Sequence, residues 1–129
     1  MNAPQHKLIF VGKLPRVNHD TNWWSRVALK RAALYQFGCL LPTMVCRMPA
    51  TVEITRVLGP REREMDSDNL AYACKGLRDA LVQGGYLVDD APKWATFQYR
   101  QDDSRREDGP RIEVHIWDTE GGSIDEMGR

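Results

Sequence analysis

With 129 residues, the chain is long enough to bury one core and too short for two ordinary domains. A composition of 42% hydrophobic and 28% charged residues excludes wholesale disorder, and apolar runs of only a few residues exclude a membrane-spanning helix. Net charge is zero, which argues against a strongly basic nucleic-acid binder, yet residues 118–129 carry four acids against Arg129 alone, leaving 17 basic and 14 acidic side chains in residues 1–117.

In chain order, KLIFVG at 7–12 reads as a short buried strand ending at Gly12 and Pro15. Asp20, Thr21 or Asn22 then offers an N-cap for a helix over 22–37, on which Trp24, Val27, Ala28, Leu34 and Tyr35 recur at helical spacing before Gly38. ATVEITRVLG at 50–59 alternates Val52, Ile54 and Val57 or Leu58 with polar residues, the pattern of a half-buried strand. After the charged loop PREREMDSD, the apolar positions Leu70, Ala73, Cys74, Leu77, Ala80 and Leu81 predict one helix from Asn69 to Gly84-Gly85. Residues 93–101 and 111–118 alternate as two further strands, and the charged link DDSRREDG between them reads as a hairpin loop.

The expected architecture is therefore α+β: a mixed sheet of about four strands carrying two helices, in the order β-α-β-α-β-β. A single domain is expected over 1–117, with an aperiodic acidic tail over 118–129. The N-terminus lacks the long apolar stretch of a signal peptide, and Cys39, Cys46 and Cys74 form no Cys-x-x-Cys pair; both features predict a cytoplasmic chain with reduced thiols in its core.

Acidic residues bracket the second helix. Asp66 and Asp68 stand two apart where a loop becomes a helix, and Asp89-Asp90 follow the closing glycines. Each taken alone reads as a cap or turn residue: Asp68 as N-cap, Asp66 as loop, Asp89-Asp90 as a polar turn. A calcium loop is excluded, because counting from Asp66 puts Ala71 at the sharp-turn glycine and Leu77 at the bidentate acid.

At about 100° per residue, Asp68, Tyr72, Lys75 and Asp79 form one polar stripe opposite Leu70, Cys74, Leu77 and Leu81. Lys75 lies roughly 10 Å along the helix from Asp68, out of reach of a metal held there but able to meet a phosphate beside it; its plainer role is an i,i+4 pair with Asp79. Clustered carboxylates suit Mg²⁺, a hard cation that needs only one or two of them plus phosphate oxygens, and such sites hydrolyse phosphodiesters without a side-chain nucleophile.

The motifs DSDNL at 66–70, KGLRDAL at 75–81 and GYLVDD at 85–90 resemble the signature of the RusA family of Holliday junction resolvases, in the form found among phage and prophage members. GKLPRVN at 12–18 and PRIEVHI at 110–116 extend the resemblance more loosely, so that it covers most of residues 8–117. It implies a small homodimeric endodeoxyribonuclease, dependent on Mg²⁺ or on Mn²⁺ in its place, that nicks four-way DNA junctions symmetrically in recombination and repair. By the same resemblance Asp66, Asp68 and Asp90 are the metal-binding catalytic carboxylates and Lys75 is the essential lysine. Lys75 falls three residues later after Asp68 than in the compact form of the family, and it is aligned through its spacing to Asp79.

Asp89 and Asn69 are candidate supporting residues. Arg61 and Arg63, beside the acids, are the candidate DNA-binding cations together with Lys75, while Arg16, Arg26, Lys30 and Arg31 gather around the first helix. Trp23 and Trp24 read as core or dimer-contact residues, with base stacking as the alternative. Two other functions fit the same residues: a junction-binding module of this fold without turnover, and a phosphohydrolase of small nucleotides.

Overall fold

A computed structural model describes residues 3–15, 23–38 and 46–118. Arg16, the proposed caps at 20–22, Cys39 and the tail from 119 lie outside the described residues. The elements are β1 (His6–Val11), α1 (Trp23–Gln36), β2 (Ala50–Val57), α2 (Ser67–Ala73), α3 (Lys75–Gln83), β3 (Ala95–Asp102), a single 3-10 turn (Arg106–Asp108) and β4 (Arg111–Asp118). The chain is thus α+β with a mixed four-stranded sheet, as its periodicities predict, and β4 spans the expected 111–118, so that Asp118 belongs to the strand rather than to the tail in which the domain boundary put it. Among the described residues no helix is long and apolar enough to cross a membrane.

The strand order is β1-β4-β2-β3, with β1 and β2 antiparallel to β4 and β3 parallel to β2. The expected β3–β4 hairpin is therefore absent: β2 lies between the two strands. Residues 103–110 instead cross the end of β2, where the Arg106 guanidinium donates to the carbonyls of Gly59 (2.8 Å) and Glu62 (2.7 Å). The central strand is β2, whose Ala50, Val52, Ile54 and Val57, with Leu58 just after it, are all buried. β1, expected as a buried strand, is an edge: Phe10 is buried, but Ile9 and Val11 are 48% and 66% exposed.

One sheet face forms the core. Val52, Ile54, Ile112, Val114, Ile116 and Phe10 meet Leu29, Ala33 and Leu34 of α1 and Leu70, Cys74, Leu77 and Leu81 of the α2–α3 segment. The inward stripe of α1 differs from the one expected: Trp24 (72%) and Tyr35 (74%) face outward, and Leu29, Ala33 and Leu34, spaced i, i+4, i+5, face the sheet.

The second helix breaks into two at Cys74 (φ −87°, ψ 4°), although the amides of Cys74 and Arg78 still bond across the break. Two residues on, Gly76 touches α1 so closely that a Cβ there would fall 2.6 Å from the Arg26 carbonyl and 2.9 Å from Leu29 Cβ. α3 ends in a Schellman turn: Tyr86 N bonds Leu81 O (2.9 Å), Gly85 N bonds Val82 O (3.1 Å), and Gly85 takes the left-handed φ of 89°. That turn sends the chain back toward Asp89 and Asp90.

Candidate functional site

α2 begins two residues earlier than its apolar pattern suggests, which changes the role of the first two acids. Asp66, not Asp68, occupies the N-cap position, with an extended backbone (φ −60°, ψ 151°), and its side chain makes no cap hydrogen bond. Asp68 lies within the first turn. Both are exposed, and among the described residues neither carboxylate is engaged in a hydrogen bond or ion pair. Capping therefore does not account for the pair.

The loop that delivers them is held from beneath by groups the sequence reading passed over. Arg56 follows Val52 and Ile54 on the inward face of β2 and is only 5% exposed. Its guanidinium donates to the carbonyl of Arg63 (2.9 Å) and to Gln101 Oε1 (2.7 Å), and pairs with Glu62 at 3.4 Å. Gln101, its register partner on β3, binds both backbone groups of Met65, accepting from N (2.9 Å) and donating to O (2.8 Å). Glu62 in turn accepts from the amide of Gly59 (2.8 Å). The residue before Asp66 is thus fixed to the sheet, while Arg61 and Arg63 on the same loop keep exposed side chains. The signal was present: the alternation of Val52 and Ile54 continues to Arg56, a charge on the core side that must find partners.

Asp90 stands at the other end of the helical segment. Its Oδ2 lies 3.9 Å from Arg78 Nε, and its amide donates to Asp89 Oδ1 (2.8 Å), so Asp89 acts as a turn former. Arg78 also donates to the Tyr99 hydroxyl (2.8 Å) and lies 5.5 Å from the Phe97 ring centroid. Burial raises the Tyr99 phenol above its ordinary pKa, against the lowering effect of Arg78, with Asp90 adding a smaller upward push.

Lys75 does not pair with Asp79. That carboxylate is taken by Arg26 of α1 in a two-pronged bond (2.6 and 2.9 Å), which, above all else, raises the Arg26 pKa. The Lys75 ammonium instead lies 4.7 Å from the Tyr72 ring centroid. Docking of α1 thus half-covers the lower part of the stripe expected to face solvent, leaving Asp68 and Tyr72 open.

Arg61, Arg63, Asp66 and Asp68 follow one another along one loop and helix start, and Asp90 lies against Arg78. Among the described residues, no three His, Cys, Asp or Glu side chains converge as a metal ion would need. The donor chemistry of Asp66 and Asp68 nevertheless suits a hard cation, since Mg²⁺ is commonly held by one or two carboxylates and completed by water and substrate phosphate. No protein-family model matches the chain, and no curated protein matches it.

Proposed function

We propose that the protein is a Mg²⁺-dependent endodeoxyribonuclease of the RusA type, acting on four-way or otherwise branched DNA. One observation carries the reading: two exposed carboxylates, free of any local partner, sit at a helix start whose preceding loop a buried arginine and a glutamine clamp to the sheet. Such a clamp positions catalytic groups before substrate arrives. Asp66 and Asp68 would hold Mg²⁺, with Asp90 as the third carboxylate; the ion would supply an acidified water and neutralise charge at the scissile phosphate. Arg61 and Arg63 bind flanking phosphates, and Lys75 steadies the phosphate next along the strand. Symmetric nicking requires two sites, so the working form is a homodimer, which sedimentation would detect.

The test is nicking of a synthetic four-way junction. Asp66→Asn, Asp68→Asn and Asp90→Asn should each lose at least about 100-fold in rate, the upper end for groups that merely support a metal ligand. Full activity in all three variants would remove the assignment. The engagement of Asp90 by Arg78 at 3.9 Å favours a second reading, a junction-binding module without turnover; salt-sensitive binding with no Mg²⁺-dependent product would select it.

A further inference from the structure

A cavity of about 230 Å³ opens where the start of α1 meets the α2–α3 bend, lined among others by Pro15, Trp23, Arg26, Tyr72 and Lys75. Two of its walls are large aromatics that the fold leaves open: Trp23 is 62% and Tyr72 45% exposed. Trp23 is braced edge-on by Trp24, their ring centroids 4.5 Å apart. The Asp79 bond immobilises Arg26 and offsets its charge, so Lys75 is the cation left to the cavity. Among the described residues its ammonium has no carboxylate partner.

The volume is below the roughly 300–1,000 Å³ of sites for drug-sized ligands, so it accepts one ring system and not an extended molecule. Aromatic walls beside a single unpaired cation match a flat π-face attached to an anion, the chemistry of a base and its phosphate. A base within a duplex is already stacked on both faces and cannot enter. The cavity also begins next to the acids: Tyr72 is four residues beyond Asp68 on α2, a rise of roughly 6 Å.

We propose that this cavity takes one unpaired nucleobase of a DNA strand, stacking it on Trp23 and Tyr72 while Lys75 meets the adjoining phosphate. The inference rests on the branched-DNA reading above and makes this site its selector for strands that leave the duplex at a junction. It also gives Lys75 a task that fits its position over Tyr72.

The experiment measures binding without divalent metal, so that nicking plays no part. Two four-way junctions are compared, one with a single unpaired nucleotide at its crossing and one with an abasic residue there. The whole protein should prefer the base-bearing junction by roughly five- to a hundredfold, the span of one base–aromatic stack. Trp23→Ala and Tyr72→Ala should bind both junctions alike, whereas Tyr35→Ala, an exposed aromatic elsewhere on α1, should keep the preference. Three results overturn the proposal while leaving the branched-DNA reading intact: no preference in the unaltered protein, retained preference in both cavity variants, or a Trp23→Ala chain whose only change is oligomeric state. Failure of the unaltered protein to bind any junction would remove both.

Discussion

Arg56 is the residue on which the candidate site depends most and the one least visible beforehand. Replacing it with Met leaves Glu62, whose side chain is 14% exposed, without its cation and frees Gln101 from its donor. Removing one partner of a buried pair costs about 3–5 kcal/mol; this pair is slightly open, so a loss near about 3 kcal/mol is expected. Denaturant unfolding of Arg56→Met checks it, and an unchanged midpoint would refute a stabilising role for the clamp. Sequence alternation reached Val52, Ile54 and the buried Val57 and Leu58 correctly but passed over Arg56, the charge that continues the inward face. Cysteines give a second residue-scale prediction. Burial pushes the Cys74 thiol up to about 12, so it is neither ionised nor reachable at neutral pH. Cys46, half-buried with its thiol against the Met48 carbonyl (3.2 Å), is not the core residue it was expected to be. A thiol reagent should leave Cys74 unlabelled in the folded protein and modify it only on unfolding, read by peptide mass.

Among the elements, the contact between α1 and α3 and the crossover from β3 to β4 bear the most. Gly76→Ala adds good helix propensity, worth about 1 kcal/mol, but drives a methyl into the Arg26 carbonyl at 2.6 Å, which is backbone and cannot swing aside. Overpacking of this kind costs about 1–3 kcal/mol, so the variant should melt lower and loosen the Arg26–Asp79 bond beside it. The crossover is tied by Arg105, which donates to Asp102 at the end of β3 (2.9 Å) and to Glu113 of β4 (2.9 and 3.1 Å) across the intervening β2. Hydrogen bonds from Ser104, then from Arg105, hold Asp102 down at about 2 from an ordinary 3.8, and Arg105 holds Glu113 below its ordinary value. Both folded-state values lie below the unfolded ones, so their contribution is present above about pH 4.5 and is lost as pH falls toward about 2. Acid unfolding followed by circular dichroism should show a drop in melting temperature over that window, and Arg105→Ala should flatten it in part, because Ser104 still holds Asp102 and Arg111 still holds Glu113.

Across the whole molecule, element types were legible, and so were the inward faces of β2, β4 and the α2–α3 segment though not that of α1, because a sheet covered on one side imposes a period of two, and a packed helix one of 3.6. Strand neighbours were not: alternation says which way Phe97 or Val114 points, never which strand lies beside it, so β3 and β4 read as a hairpin although β2 separates them. The acids at 66 and 68 stood out by their spacing and Asp90 joined them only through the family resemblance, whereas the Gln101 clamp and the Trp23–Tyr72–Lys75 cavity join residues far apart in sequence and exist only after folding. Charge is the property of the whole chain that sequence states in full, and it supports a last prediction. Residues 119–129 hold three acids and one arginine, so a chain ending at Asp118 carries a net charge of +2 where the full chain carries none. If the protein binds DNA, the acids beyond Asp118 repel phosphates at long range, and their removal should tighten junction binding. The gain should be clear near 0.1 M salt, where the screening length is about 10 Å, and should vanish toward 1 M, where it is about 3 Å. The slope of log affinity against log salt separates two cases, since it counts phosphates neutralised on contact. A slope unchanged by truncation with a higher affinity at low salt assigns the effect to the distant field, and equal affinities at every salt concentration would refute it.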